Sequence, residues 1–320
     1  MVMSIRGMVG LPALFLLCGP MSPFQGPLLQ SRSRVSAETP PANIRVDASL
    51  VLIPVHVTTA GGASVTDLRK ESFRLFEENV EQKVTYFAKD DAPVSIGILF
   101  DTSGSMQNKV RRSAQAAKVF LQTANPEDEF FLIEFNDRPK LVVGFTNDSD
   151  LLYRRLVHAQ PFGRTSLLDA VHLATVQLKK ARNARKAILI VSDGGDNRSR
   201  LTASQVKSEV LESDMQLYAI GIFDHESSRK QTPEEKNGPG LLEELAVKTG
   251  GSHYRVNVLD QLDRVAERVS NDLRNEYLLG YSSSKPEKDG KYRRVKVSLD
   301  TVGERALRTR YRNGYYAPIE

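Results

Sequence analysis

At 320 residues the chain is long enough to bury a large core and to hold more than one domain. Hydrophobic residues at 40% and charged residues at 26% are ordinary for a globular protein, and a net charge of +5 spread along the chain, without a dense basic tract, argues against a nucleic-acid partner. One cysteine, Cys18, excludes an intrachain disulfide and any cysteine-based metal cluster or nucleophile in the folded body.

Residues 1–43 read as a signal peptide and linker. Arg6 precedes an apolar stretch over residues 8–18, which is too short to span a bilayer, and a Ser-, Arg-, Pro- and Ala-rich tract follows. The expectation is export to the periplasm, the envelope or the medium; the cleavage point, and an uncleaved N-terminal anchor as the sole membrane contact, stay open.

Residues 44–92 form an N-terminal β segment with apolar runs at residues 50–55, 73–76 and 84–87 and no long helical pattern. Pro54 points to an edge strand or bulge, since proline cannot donate to a ladder. Glu77-Glu78-Asn79 reads as a hairpin turn, not a catalytic carboxylate pair.

Residues 93–275 alternate buried-strand and helix patterns. Runs at residues 95–100, 130–135, 187–192 and 217–222 are nearly all apolar or β-branched, as in strands covered on both faces. Between them, Val110, Ala114, Ala117 and Leu121 fall at helical spacing, as do Leu167, Ala170, Val171, Ala174 and Leu178. Thr202-Ala203-Ser204-Gln205 is a capping box, Gly250 stops a helix through Leu241, Leu242 and Leu245, and a last helix runs from Leu259 to Leu273. Asn136-Asp137-Arg138-Pro139 leaves room only for an antiparallel hairpin at a sheet edge; the other connections fit right-handed crossovers. The fold class is α/β, a Rossmann-like, doubly wound, mostly parallel sheet. It is inserted between the N-terminal β segment and a C-terminal one over residues 276–320, where residues 293–299 and 307–311 alternate as half-buried strands. Each flank is too short to be a domain, so the two are expected to share one β-sandwich.

Five oxygen-bearing side chains stand out. Asp101, Ser103 and Ser105 follow the first buried run, Thr165 opens a helix after Gly163, and Asp193 follows the third run. In open α/β sheets the loops beyond the carboxyl ends of the strands converge on a ligand crevice. Two carboxylates and three hydroxyls suit a hard cation, Mg²⁺ or alternatively Mn²⁺ or Ca²⁺, while leaving a coordination position for an incoming carboxylate. Asp169 reads as an acid favoured by the helix dipole, Asp196 and Asn197 as a solvated turn, and Arg111, Arg112, Arg182, Arg185 and Lys186 as solvated helix faces. The five histidines lie at no ligand spacing.

With these residues in place, the chain resembles a von Willebrand factor type A domain with a metal-ion-dependent adhesion site, over about residues 93–275. The flanks, including Val65-Thr66-Asp67-Leu68 and Arg312-Asn313-Gly314-Tyr315-Tyr316, resemble a bacterial family of exported proteins that carry this domain. The resemblance implies Ser103 and Ser105 as direct ligands, Thr165 as a ligand that changes with state, and Asp101 and Asp193 acting partly through water. The expected function is a non-enzymatic, metal-dependent module for adhesion or scaffolding that holds a protein partner by an Asp or Glu carboxylate. The alternatives are a Mg²⁺-dependent hydrolase, against which stands the lack of a phosphate-binding loop, a nucleophile elbow or a His-Glu-x-x-His motif, and an envelope subunit with a purely structural cation.

Overall fold

The computed structural model describes residues 50–90, 92–223, 233–300 and 306–319; the expected signal peptide and Cys18 lie outside them. Four strands precede the inserted body: β1 (Leu50–Thr59), β2 (Phe73–Glu77), β3 (Val80–Gln82) and β4 (Tyr86–Asp90). The body runs β5 (Val94–Asp101), α1 (Val110–Gln122), β6 (Glu129–Phe135), β7 (Pro139–Thr146), α2 (Ser149–Val157), α3 (Leu167–Leu178), β8 (Arg185–Ser192), α4 (Ala203–Glu212), β9 (Gln216–Ile222), α5 (Pro233–Lys248), β10 (His253–Val256) and α6 (Leu262–Arg274). Four more strands close the chain: β11 (Glu276–Ser282), β12 (Tyr292–Leu299), β13 (Leu307–Tyr311) and β14 (Gly314–Tyr316).

The body is a six-stranded sheet in the order β10-β9-β8-β5-β6-β7, with every neighbouring pair parallel except β6 and β7. All eight residues of β5 are buried, because one apolar layer packs on each face of the sheet. Gly97 stands where a Cβ would overlap the Phe131 ring, so its lack of a side chain admits that ring to the core. Thr202 and Gln205 form the expected reciprocal cap of α4. Two elements of the body have no counterpart in the sequence reading. One is α2, started by Asp148, which accepts from the Leu151 amide; the other is β10, a four-residue edge strand beside β9.

The flanks build two further sheets, β13-β1-β11-β4 and β14-β12-β2-β3, and each sheet mixes strands from both ends of the chain. Val51, Ile53, Val55 and Val57 alternate along β1 and pack with Leu75, Tyr277, Leu279, Val295 and Val297 in one apolar core between them. Pro54 does not mark an edge strand. β1 is interior, but β13 begins its pairing only at Val55, so at Pro54 the strand has β11 as its one neighbour. Because β4 and β11 pair antiparallel, the chain enters and leaves the α/β body on adjacent strands.

Two polar knots reinforce this arrangement. Glu77 is buried in the sandwich, where it accepts from the hydroxyls of Tyr281, Tyr315 and Ser283. The 77–79 segment is the expected turn, with Glu78 and Asn79 both at positive φ, yet Glu77 is also a core residue. Glu276 at the start of β11 accepts from Gln216 and Arg185 of the body. Arg185 is therefore not a solvated helix cation; it lies on β8 and pairs with a buried acid. Among the described residues no helix is long and apolar enough to cross a membrane.

Tyr281→Phe removes a donor to a buried carboxylate and is expected to cost about 1–3 kcal/mol of unfolding free energy, read by chemical denaturation.

Candidate functional site

The parallel pairing of β5 with β8, which sets Phe100 beside Val191, brings the next residues, Asp101 and Ser192, together at the carboxyl end of the sheet. The Ser192 hydroxyl donates to Asp101 Oδ2, and the Ser103 amide donates to Asp101 Oδ1 at 2.8 Å. Asp193 follows immediately, so both acids that the sequence singled out lie at one rim.

Backbone bonds then tie three loops together. The Phe162 amide donates to Thr102 O (2.9 Å) and the Gly104 amide to Gly163 O (3.0 Å), which binds the loop after β5 to the segment before α3. Thr165 O accepts from the amides of Asn197 and Arg198, while the Thr165 amide donates to Asn197 Oδ1 at 3.0 Å, which binds that segment to the loop after β8. Gly194 sits at φ +80°, and a Cβ there would strike the backbone of Gly238 on α5, so the turn after Asp193 requires glycine twice over.

The five residues grade from dry to wet. Asp101 is 0% exposed, Ser103 1%, Thr165 4% and Asp193 7%, whereas Ser105 is exposed at the mouth. The Ser103 and Ser105 hydroxyls lie 3.0 Å apart. Burial first, and the neighbouring Asp193 charge second, push the Asp101 carboxyl up to about 7, against the opposing bonds from Ser103 and Ser192. Asp193 Oδ1 is buried with no hydrogen-bond partner. Among the described residues no cluster of three or more His, Cys, Asp or Glu side chains that could hold a metal ion is present.

Several residues at the rim escaped the sequence reading. Lys109, at the N-cap of α1 and 4% exposed, donates to Asp193 Oδ2 at 3.2 Å. The charge balance is thus two carboxylates and one ammonium, not two carboxylates alone. Asp196 and Asn197 lie on an exposed turn, as expected, but they also tie it to α3 and to Thr165. Asp196 accepts from the Leu168 amide at the start of α3 and from Ser199, and Asn197 holds Thr165. Asp169 is more than a dipole-favoured acid, because it accepts from the amides of Arg200 and Leu201 and so anchors the far end of the same loop. Only Lys109 carried a usable signal, as the first cation after Asp101, eight residues on.

Residues 96–195 match the family model of the von Willebrand factor type A domain. An uncharacterized protein of Borreliella burgdorferi is 25% identical over 187 residues, covering 52% of this chain and 54% of that protein. Human inter-alpha-trypsin inhibitor heavy chain H2 is 29% identical over 158 residues, 43% of this chain and 17% of that protein. The chain thus spans about half, or less, of the length of these curated relatives. A von Willebrand factor type A structure from Catenulispora acidiphila aligns with a TM-score of 0.49 at 12% identity, covering 80% of this chain and 75% of that one.

The raised Asp101 value carries a signed consequence. The native state keeps this proton to a higher pH than the unfolded chain does, so in EDTA Asp101 lowers stability as pH rises from about 4 to about 7. His56, lowered to about 4 by burial, works in the opposite direction over much of the same range. The difference between wild type and Asp101→Asn isolates the carboxyl. In chelator, the asparagine variant is expected to gain stability relative to wild type across this window, by on the order of a few kcal/mol, in denaturation curves taken at stepped pH.

Proposed function

The chain carries a von Willebrand factor type A domain, and from that premise we propose that it is an exported, non-enzymatic binding module that holds a protein partner through a divalent cation. The observation that carries this reading is the unpartnered, buried Asp193 Oδ1 on the rim where Asp101 is fully buried. A buried carboxylate oxygen without a donor is costly, and a hard cation satisfies it. Asp101 and Asp193 would supply the negative charge, and Ser103, Ser105 and Thr165 neutral hydroxyl oxygens. This oxygen-only set suits Mg²⁺ or Mn²⁺, with Ca²⁺ less suited to so few carboxylates. A cation held there offers Lewis acidity to an incoming carboxylate.

The chain's own residues set the rest of the behaviour. The loop bonds among Thr102, Phe162, Gly163, Thr165 and Asn197 hold the backbone that carries these oxygens in place before any ligand arrives. The exposed Ser105 marks the open side, where a partner's Asp or Glu approaches. The apolar run over residues 8–18 supports export, and so an envelope or extracellular partner.

Calorimetry with Mg²⁺ on the purified chain is expected to show a single site and a rise in melting temperature that Asp101→Asn abolishes while the circular dichroism spectrum stays native. A pull-down from the native envelope in Mg²⁺ and in EDTA is expected to recover a partner only with the metal, and not with Thr165→Ala. Absence of both heat and thermal shift at millimolar Mg²⁺ would refute the metal reading. A thermal shift with capture indifferent to Thr165 would leave the cation a purely structural role.

A further inference from the structure

Lys109 is the one rim residue whose chemistry the preceding reading does not use. Its backbone is locked at the start of α1, where its amide donates to Met106 O and its carbonyl accepts from Ser113. Its side chain is almost wholly buried and its ammonium reaches Asp193 Oδ2, which leaves Oδ1 of the same carboxylate free. A buried ammonium is costly unless paired, and here the partner is one of the acids proposed to hold the cation. Lys109 takes one of the two Asp193 oxygens and leaves the other for the cation.

We propose that Lys109 is a fixed third charge of this site, which weakens binding of the bare divalent cation and makes the loaded site take up one carboxylate. The inference rests on the metal-binding reading above and deepens it. With a divalent cation held, the two ionised acids, the ammonium and the ion sum to one net positive charge. Surplus positive charge in a partly dry cleft is relieved by a single anion, and a carboxylate reaching the ion past Ser105 supplies it. Metal and anionic ligand therefore bind with positive coupling. Lys109 sets the size of that coupling through its charge, and it orients Asp193 through its hydrogen bond.

The two contributions separate in variants. Lys109→Gln keeps a donor toward Asp193 and drops the charge; Lys109→Met drops both. Mg²⁺ is titrated by calorimetry into the full chain, wild type and variants, in chloride and then in acetate at equal ionic strength, with circular dichroism to confirm folding. In chloride, Lys109→Gln is expected to bind Mg²⁺ about tenfold more tightly than wild type, because a nearby positive charge is gone. Acetate is expected to tighten Mg²⁺ binding in wild type and to do so less in the variant, by linkage. Tighter metal with weaker anion coupling is a pair of opposite changes that a merely structural lysine would not produce. If folded Lys109→Gln and Lys109→Met bind Mg²⁺ no more tightly than wild type, or if acetate acts equally on all three, the role given to Lys109 is wrong while the metal site stands. If wild type itself takes up no Mg²⁺, both readings fall.

Discussion

A carboxylate at the end of a strand with no exposed residue is the constraint from which the rest of the rim follows. Asp101 closes β5, all eight residues of which are buried, and it has only Ser192 and the Ser103 amide to offset its desolvation. Asp193 stands on the neighbouring strand end and adds a second negative charge. Burial first, and repulsion between like charges second, make Asp101 hold its proton to higher pH. Lys109 lessens that repulsion from one side only, through one oxygen of Asp193. The rim is thus assembled with an electrostatic debt that further positive charge would relieve, and the fold keeps it because the layers above and below β5 are large enough to support it.

The sandwich contributes by fixing where the sheet begins and ends. Each of its two sheets needs strands from both sides of the insertion, so neither flank closes a core alone. Chain entry and exit run on the paired strands β4 and β11. Glu276 at the start of β11 takes donors from Gln216 and Arg185, on β9 and β8 of the body. Asp272 near the end of α6 is reached by Arg310 of β13 and by Tyr254 of β10. This seam of acids lies by the amino ends of β8 and β9, while Asp101 and Asp193 stand beyond the carboxyl ends of the sheet. Attachment and the Asp101–Asp193 rim thus occupy opposite ends of the same sheet.

The alternation of apolar runs and 3.6-residue patterns made the body legible, because strands buried on both faces leave an unbroken apolar signature. The hairpin at residues 136–139 was legible from its shortness, and the shared sandwich from the fact that neither flank is long enough to close by itself. What stayed hidden was relational. α2 is short and its start depends on a single Asp148 cap. β10 is four residues long and owes its strand form to β9. Pro54 followed the edge-strand rule locally, since β13 begins one residue later, a fact of register that no local pattern encodes. At the rim, residue types at strand ends picked out the oxygen donors, whereas Asp169, Asp196 and Asn197 act on backbone amides some thirty residues away and resemble ordinary turn acids in sequence.

Those loop anchors bear on how the rim works. The Ser103 segment is tied to the Thr165 segment, and the Thr165 segment to the loop after β8, through backbone groups and the Asn197 side chain, none of them the hydroxyls of Ser103, Ser105 or Thr165. The strongest positional bonds therefore need not break for the hydroxyls of Ser103, Ser105 and Thr165 to turn. A displacement of the segment around Thr165, by contrast, must carry the loop after β8 with it, because Asn197 grips Thr165 at both its amide and its carbonyl. Any larger response to a ligand would be read out first where that loop meets α4 and α3, at Asp169 and the Thr202 cap, and not at the sandwich.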